Sequence, residues 1–160
     1  VCVCVCDASS QIFMGDEPCC GGLPVSELAE AASFIKARIA HTAAFIYVNE
    51  CERTFTGVCD ASGACHSYPG LMTQVPSAID FISADVYEVN KGWEANAVRK
   101  VYEKKVYPAL APHQSVSQVP GLFADSRLAR NVSEKILLEK LDGFWEWARN
   151  DSRVVGINPW

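Results

Sequence analysis

Three apolar runs with the composition of β-strands are each followed by acidic residues. They occupy residues 11–15 before Asp16 and Glu17, residues 44–48 before Asn49 and Glu50, and residues 81–84 before Asp85. Helical patterns separate these runs, and strands joined through helices lie parallel, with their carboxyl ends at one edge of the sheet. We therefore expect the acidic clusters to converge on one face of the molecule.

Apolar periodicity predicts alternating strands and helices along the whole chain. Strands are expected at residues 1–6, 9–15, 43–48, 79–86, 115–119 and 154–157, and helices at 25–39, from 93 to before Tyr107-Pro108, and at 132–149. Residues 51–75 have no such period and are expected to form a long loop, in which Cys51, Cys59 and Cys65 are candidates for disulfides. Alternation of this kind is typical of an α/β fold with a parallel sheet, open or closed into a barrel.

Two observations favour the barrel. No Gly-x-Gly-x-x-Gly or Gly-x-x-x-x-Gly-Lys loop follows a strand, so the phosphate cradle of nucleotide-binding open sheets is missing. Polar residues also end successive strands instead of gathering at one crevice. We predict a single domain over residues 1–160, a parallel (β/α) barrel that is partial and contains about five strand–helix units.

Composition restricts the partners. The net charge of -5 and the scattered basic residues disfavour a nucleic-acid partner, which needs clustered Lys and Arg. No apolar run reaches the roughly 18 residues of a membrane span, so none is predicted. Eight cysteines and two Asn-x-Ser sequons, at Asn131 and Asn150, favour a secreted or extracytoplasmic protein.

The cysteine spacing favours disulfides over metal. Cys51, Cys59, Cys65 and His66 lack the paired Cys-x2-4-Cys spacing of structural zinc sites. The neighbours Cys19 and Cys20 cannot easily bond to each other, so each is expected to have a distant partner or to stay free. No cofactor and no metal site are predicted from this pattern.

A set of strand-end motifs together resembles the later part of a glycoside-hydrolase-like (β/α)8 barrel. The motifs are Gly15-Asp16-Glu17-Pro18, Tyr47-Val48-Asn49-Glu50, the stretch 80–87, Tyr107-Pro108 with His113-Gln114, Val119-Pro120-Gly121 and the stretch 156–160. The similarity covers nearly all of the chain after about Gln11. If the run at Val154 is the eighth strand, the run at Gln11 is the fourth, which implies about three more strands upstream.

The resemblance implies hydrolysis of a carbohydrate by paired carboxylates. Retaining barrel glycosidases carry an acid/base Glu after strand four, which Glu17 matches, and a nucleophilic Glu after strand seven. Asn49-Glu50 is the Asn-Glu dipeptide typical of the first position, one strand later. At strand seven this chain has Gln118 and no carboxylate, a departure from the pattern.

Glu17, Glu50 and Asp85 are thus the candidate catalytic residues. Cleavage needs two carboxyl groups about 5–5.5 Å apart for retention or about 6.5–9.5 Å apart for inversion, and strand ends spaced by about 4.8 Å allow either. The remaining candidates would bind substrate through polar or aromatic groups: Asp16, Asn49, Tyr47, Tyr87, Gln118, Asn158 and Trp160.

Alternatives remain open at this point. Glu17 and Glu50 are equally compatible with capping a helix or supporting a loop, and His113 is more simply interpreted as structural than as a ligand contact. A barrel that binds sugar or a protein without catalysis would explain the missing carboxylate at Gln118. Metal-assisted hydrolysis, with carboxylate oxygens as ligands, is a third and weaker hypothesis.

Overall fold

A six-stranded sheet forms the centre of the chain, and its strand order follows the sequence. The computed structural model describes residues 4–5, 11–57, 71–86, 95–121 and 134–158. The strands are β1 (Cys4–Val5), β2 (Gln11–Asp16), β3 (Phe45–Cys51), β4 (Phe81–Asp85), β5 (Ser115–Gln118) and β6 (Val154–Ile157). β1 runs antiparallel to β2, and β2 to β6 are parallel. The predicted α/β fold with five parallel strands is confirmed; the sheet is open and does not close into a barrel.

Helical segments connect the parallel strands. They are α1 (Val25–Ile39), α2 (Glu52–Thr56), α3 (Ala95–Val101) and α4 (Glu134–Asn150). α1 has the predicted bounds, whereas α2 lies inside the stretch that was predicted to lack regular structure. After α3 the winding continues as a π-helical turn (Tyr102–Val106) and a 3-10 turn (Tyr107–Ala109), past the expected stop. Pro108 is tolerated there because the first positions of a helical turn need no N–H donor.

One face of the sheet is covered by helices. Parallel strands in sequential order place their right-handed crossovers on the same side of a sheet. On this helix-covered face most apolar side chains of the strands are buried in one hydrophobic cluster with residues of α1 and α4. Its main members are Ile46, Val48, Ile82, Ala84 and Val116 from the strands, Leu28 and Ala32 from α1, and Phe144 and Trp147 from α4.

The opposite face carries aromatic and then polar side chains. Phe13, Tyr47 and Phe81 lie in register on β2, β3 and β4, and the rings of Phe13 and Tyr47 stack with centroids 5.3 Å apart. Asn49 and Ser83 pair one level nearer the carboxyl ends. We call these five residues the aromatic face.

β4 and β5 separate at their carboxyl ends. Their pairing stops at Ile82 and Val116. Beyond that level the hydroxyl of Tyr102 accepts a hydrogen bond from the Ala84 amide at 2.9 Å and lies 3.0 Å from the Ala84 carbonyl. The hydroxyl thus replaces a strand partner for a buried backbone, which would otherwise lose one of its obligatory hydrogen bonds.

Charged residues fix the amino-terminal end of the sheet. Lys36 of α1 donates to both carboxylate oxygens of Asp80, at 2.6 and 2.7 Å, and Asp80 also accepts the amide of Ile46 at 2.8 Å. His113 lies at this same end and contacts the carbonyl of Ser77 at 3.0 Å. It is therefore remote from the carboxyl ends of the strands and has a local structural partner.

The start of β6 is held by a buried carboxylate. Asp151 accepts hydrogen bonds from the Tyr107 hydroxyl at 2.9 Å, from the Trp147 indole at 3.4 Å and from the Arg153 guanidinium at 2.9 and 3.0 Å. The Arg153 guanidinium also stacks 3.5 Å above the Tyr107 ring. Asp151 thereby joins α4, the turn after α3 and β6.

In the parts of the chain that the structure describes, none of the helices has the length and apolar character needed to cross a membrane.

Candidate functional site

The carboxyl end of β2 turns sharply at the candidate site. Gly15 has φ of 137°, and the pairing of β2 with β3 shifts between Phe13 and Asp16, so the strand bulges here. Glu17 follows with φ of 49°, and its amide donates to the carbonyl of Asn49 at 2.8 Å. Among the described residues it is the one non-glycine with positive φ. Such a conformation costs roughly 1–2 kcal/mol and is concentrated at functional sites.

A directed chain of side-chain hydrogen bonds crosses the aromatic face. The Asn49 amide donates to Asp16 at 2.7 Å, and the Asn49 oxygen accepts the Ser83 hydroxyl in a short hydrogen bond. Because the Ser83 proton is used there, its oxygen accepts the Tyr47 hydroxyl at 2.7 Å. The Asn158 side chain in turn hydrogen-bonds the Tyr47 hydroxyl. These five residues form the polar chain, and all but Ser83 were predicted from sequence to bind substrate.

The contact between Asn158 and Tyr47 requires a curved sheet. Tyr47 lies on β3 and Asn158 directly follows β6, so three strand spacings of about 4.8 Å, roughly 14 Å in a flat sheet, separate their backbones. A tyrosine and an asparagine side chain together cannot span that distance. The sheet therefore bends toward the aromatic face, which is its concave side.

Four carboxyl groups gather at the carboxyl ends of β2, β3 and β4. Burial raises the pKa of Glu17, and the negative charges of Asp85, Asp16 and Glu50 raise it further, while Arg53 opposes them. We call Asp16, Glu17, Glu50 and Asp85 the acidic cluster. The convergence expected from the strand-end pattern is present, and Glu17, which is half-buried, is the member whose protonation its neighbours favour.

Glu50 differs from the other members because it is fully buried. Its carboxylate accepts the amides of Cys19 at 3.0 Å and Cys20 at 3.2 Å and the hydroxyl of Thr54 at 3.1 Å. Burial raises the pKa of Glu50, and these donors partly offset that effect. The side chain fastens the loop after β2 to β3, which is the loop-supporting role that the sequence left open for it.

A disulfide lies beside this loop. Cys20 and Cys51 are bonded, with their Cα atoms 5.8 Å apart, whereas Cys19 is a free, buried thiol. The prediction of a distant partner or a free state for these two cysteines is confirmed. The ligand atoms of Glu17, Cys20 and Cys51 lie within 4.8 Å of one another. Cys59, Cys65 and His66, also considered from sequence, lie outside the described residues.

Gln118 is placed away from the aromatic face. It is fully buried at the end of β5, and strand alternation puts it on the helix-covered side with Val116. In the described part of the structure neither atom of its amide has a hydrogen-bond partner. Its backbone carbonyl accepts the Asn158 amide at 2.7 Å, which positions the end of β6.

Asp85 is the one remaining predicted catalytic residue. Asp85 ends β4 on the same face as Ser83 and is half-buried, whereas Tyr87 and Trp160 lie outside the described residues. Sequence reasoning missed the roles of Ser83 and Thr54. Ser83 could have been found, since it lies two positions before Asp85 in a strand and so shares its face.

No family model matches the sequence, and comparison with curated proteins and with solved structures finds no match. The acidic cluster and the polar chain are therefore the features that bear on function. Together they offer a carboxyl group with a raised pKa, other carboxylates close to it, and a concave aromatic and amide surface beside them.

Proposed function

We propose that this protein hydrolyses glycosidic bonds at the carboxyl ends of β2 to β4. The observation that carries the proposal is Glu17, held in a strained backbone conformation with a raised pKa beside Asp85. Glu17 would protonate the leaving glycosidic oxygen, and Asp85 would be the second carboxylate. Glu50, which is buried and bound to loop amides, would support the site without contacting substrate.

The acid role follows from the surroundings of Glu17. A general acid must hold its proton near neutral pH, and burial among like charges favours the protonated form. Among the described residues, Arg53 is the cation that opposes this rise in the pKa of Glu17.

Strand spacing favours inversion of configuration. β2 and β4 flank β3, so their backbones lie about 9.6 Å apart, twice the spacing of neighbours. Carboxyl groups of Glu17 and Asp85 reaching from these strands fit the range of about 6.5–9.5 Å that leaves room for a water between base and sugar. Asp85 would then act as the general base.

The polar chain supplies the contacts that a sugar needs. Asp16 and Asn49 present hydrogen-bonding groups beside the acidic cluster, and Tyr47 with Phe13 forms an aromatic wall on the same face. Amide and carboxylate groups bind hydroxyls, and an aromatic ring offers an apolar surface to the C–H face of a sugar. Tyr87 and Trp160 are proposed as further stacking groups.

Curvature and sheet order support a partial barrel. A sequentially wound parallel sheet with helices on one face and polar strand ends on the concave side has the construction of (β/α) barrels, whose sites occupy the same end. The Cys20–Cys51 disulfide supports an extracytoplasmic location, because disulfides persist in oxidising compartments.

The leaving group of the substrate tests the acid role directly. The full chain is assayed against a panel of alkyl and 2,4-dinitrophenyl glycosides, since dinitrophenolate departs without protonation. Glu17→Gln is expected to lower kcat about 10²–10⁴-fold on alkyl glycosides and far less on dinitrophenyl glycosides. Asp85→Asn is expected to lower both.

Glu30→Gln, an exposed acid on α1, is the matched control and should retain wild-type turnover. Hydrolysis of alkyl glycosides by Glu17→Gln at the wild-type rate would remove the proposed acid. The anomer first released, followed by NMR, tests inversion: a retained configuration would show that Asp85 is not a general base.

A non-catalytic carbohydrate- or protein-binding function is the second candidate. It is favoured by Gln118, which stands where the resemblance implies a carboxylate and lies off the aromatic face. Calorimetry would establish this function instead if the chain binds oligosaccharides and Tyr47→Ala weakens that binding. In addition, no member of the glycoside panel should release reducing ends.

A further inference from the structure

We infer that Cys20, Cys51 and Glu17 bind a zinc ion once a dithiol has reduced the Cys20–Cys51 disulfide. The two cysteines would supply thiolates, and Glu17 would supply a carboxylate oxygen. This inference does not depend on the proposed hydrolysis. The ligand atoms of the three side chains lie within 4.8 Å of one another at the carboxyl ends of β2 and β3.

The donor set suits zinc. Thiolates select zinc among the common divalent cations, and carboxylate oxygen is a regular third ligand. Zinc–sulfur bonds of about 2.3 Å and zinc–oxygen bonds of about 2.0–2.2 Å set ligand atoms about 3.5–3.8 Å apart in a tetrahedron. The Glu17 oxygen already lies within 4.8 Å of both sulfurs. The two sulfurs are bonded to each other and would have to move apart by about 1.7 Å after reduction to reach that spacing. Water would take the fourth position.

The local charge attracts a cation. Asp16, Glu50 and Asp85 lie near Glu17 at the carboxyl ends of β2, β3 and β4, and Arg53 of α2 is a cation close to them. A divalent cation bound by Glu17 and the two thiolates would reduce the repulsion among these carboxylates, because opposite charges within a few ångströms attract.

The redox step balances with a dithiol as the co-reactant. A thiolate of the reductant attacks the sulfur of Cys20, which is half-buried, and the reductant then leaves as its own disulfide. Two electrons and two protons pass to the protein, the S–S bond breaks and two thiols form. Zinc binding then releases both thiol protons to solvent. Cys19 takes no part, since its buried thiol is hydrogen-bonded to Glu50.

The test uses the full chain, reduced with dithiothreitol, freed of reductant under anaerobic conditions and titrated with Co²⁺ and then Zn²⁺. We expect a thiolate-to-cobalt charge-transfer band that zinc abolishes. In peptide-resolved alkylation, zinc should slow modification of Cys20 and Cys51 at least about tenfold. The double variant Cys20→Ser/Cys51→Ser should lose the band, and Cys19→Ser should keep it.

Glu17→Gln is the decisive variant, since it retains both thiols and alters only a half-buried side chain in a loop. It should bind Zn²⁺ at least about tenfold more weakly than the reduced wild type, whereas Glu30→Gln should bind equally well. Equal affinity in Glu17→Gln, or alkylation of Cys20 and Cys51 that zinc does not slow, overturns the inference. If reduction lowers the melting temperature, zinc should raise it again, and failure to do so also counts against the site.

Discussion

Replacement of Asp151 by asparagine should reveal how strongly one buried carboxylate holds the last strand. Burial alone would raise the pKa of Asp151, but hydrogen bonds from Arg153, Tyr107 and Trp147 outweigh burial and lower the pKa from its ordinary value of 3.8 to about 2. The charged form is thus favoured in the folded chain. Asparagine keeps the shape of the side chain and removes the charge.

The magnitude follows from the difference between the folded and unfolded pKa values. Lowering the pKa from 3.8 to about 2 corresponds to roughly 2.4 kcal/mol of stability at pH 7. Because the folded pKa is lowered, this stability is complete above the unfolded pKa and is lost as pH falls toward the folded value. About 1.3 kcal/mol should remain at pH 3 and only a few tenths at pH 2.

Urea unfolding followed by circular dichroism at pH 7, 5 and 3 measures this pattern. The free energy of unfolding of Asp151→Asn should lie at least about 2 kcal/mol below wild type at pH 7, and the gap should narrow by about 1 kcal/mol at pH 3. Asp142→Asn, an exposed acid on the same helix, is the control and should change the free energy by less than about 0.5 kcal/mol. A gap of the same size at pH 7 and pH 3 would refute the electrostatic reasoning.

Three further predictions concern other buried or partly buried groups. Tyr102→Phe leaves the buried amide of Ala84 without its acceptor and should lower the free energy of unfolding in urea by about 1–3 kcal/mol; an unchanged midpoint would contradict this. Asp80→Asn weakens the contact with Lys36, which is partly exposed, and should lower the free energy of unfolding by about 1 kcal/mol in the same assay. An unchanged free energy of unfolding would show that this contact does not stabilise the fold. Burial raises the pKa of Cys19 to about 12, so its thiol should resist iodoacetamide at pH 8 in the native chain and react only after denaturation. Mass spectrometry of the alkylated peptides measures this, and rapid native modification would show that the thiol is not protected.

The parallel sheet and the acidic cluster at the carboxyl ends of its strands were predictable, because both follow from local sequence patterns. The bounds of α1 match the periodicity of residues 25–39, and parallel strands bring their carboxyl ends together whatever their detailed packing. Asp16, Asn49 and Asp85 could therefore be assigned to one edge of the sheet from strand order alone.

The different degrees of burial and hydrogen bonding within the acidic cluster were not predictable from local patterns. Glu50 alternates with Asn49 in β3, so it faces the helix-covered side, but its burial depends on amides of Cys19 and Cys20 about thirty positions earlier. The pairing of Cys20 with Cys51 likewise depends on the turn after Gly15, whose bulge shifts the register of β2. Such contacts between distant segments leave no periodic signal in a single sequence.

The hydrogen bond between Asn158 and Tyr47 joins the first half of the chain to its final residues in the fold. Contacts between positions so far apart in sequence form late, because the intervening loop must close first. The tyrosine hydroxyl would obtain its full set of partners only after β6 has docked. A nascent chain still lacking β6 would therefore hold the acids of β2 to β4 beside an incomplete polar chain, and any affinity for the proposed carbohydrate ligand should develop together with completion of the fold.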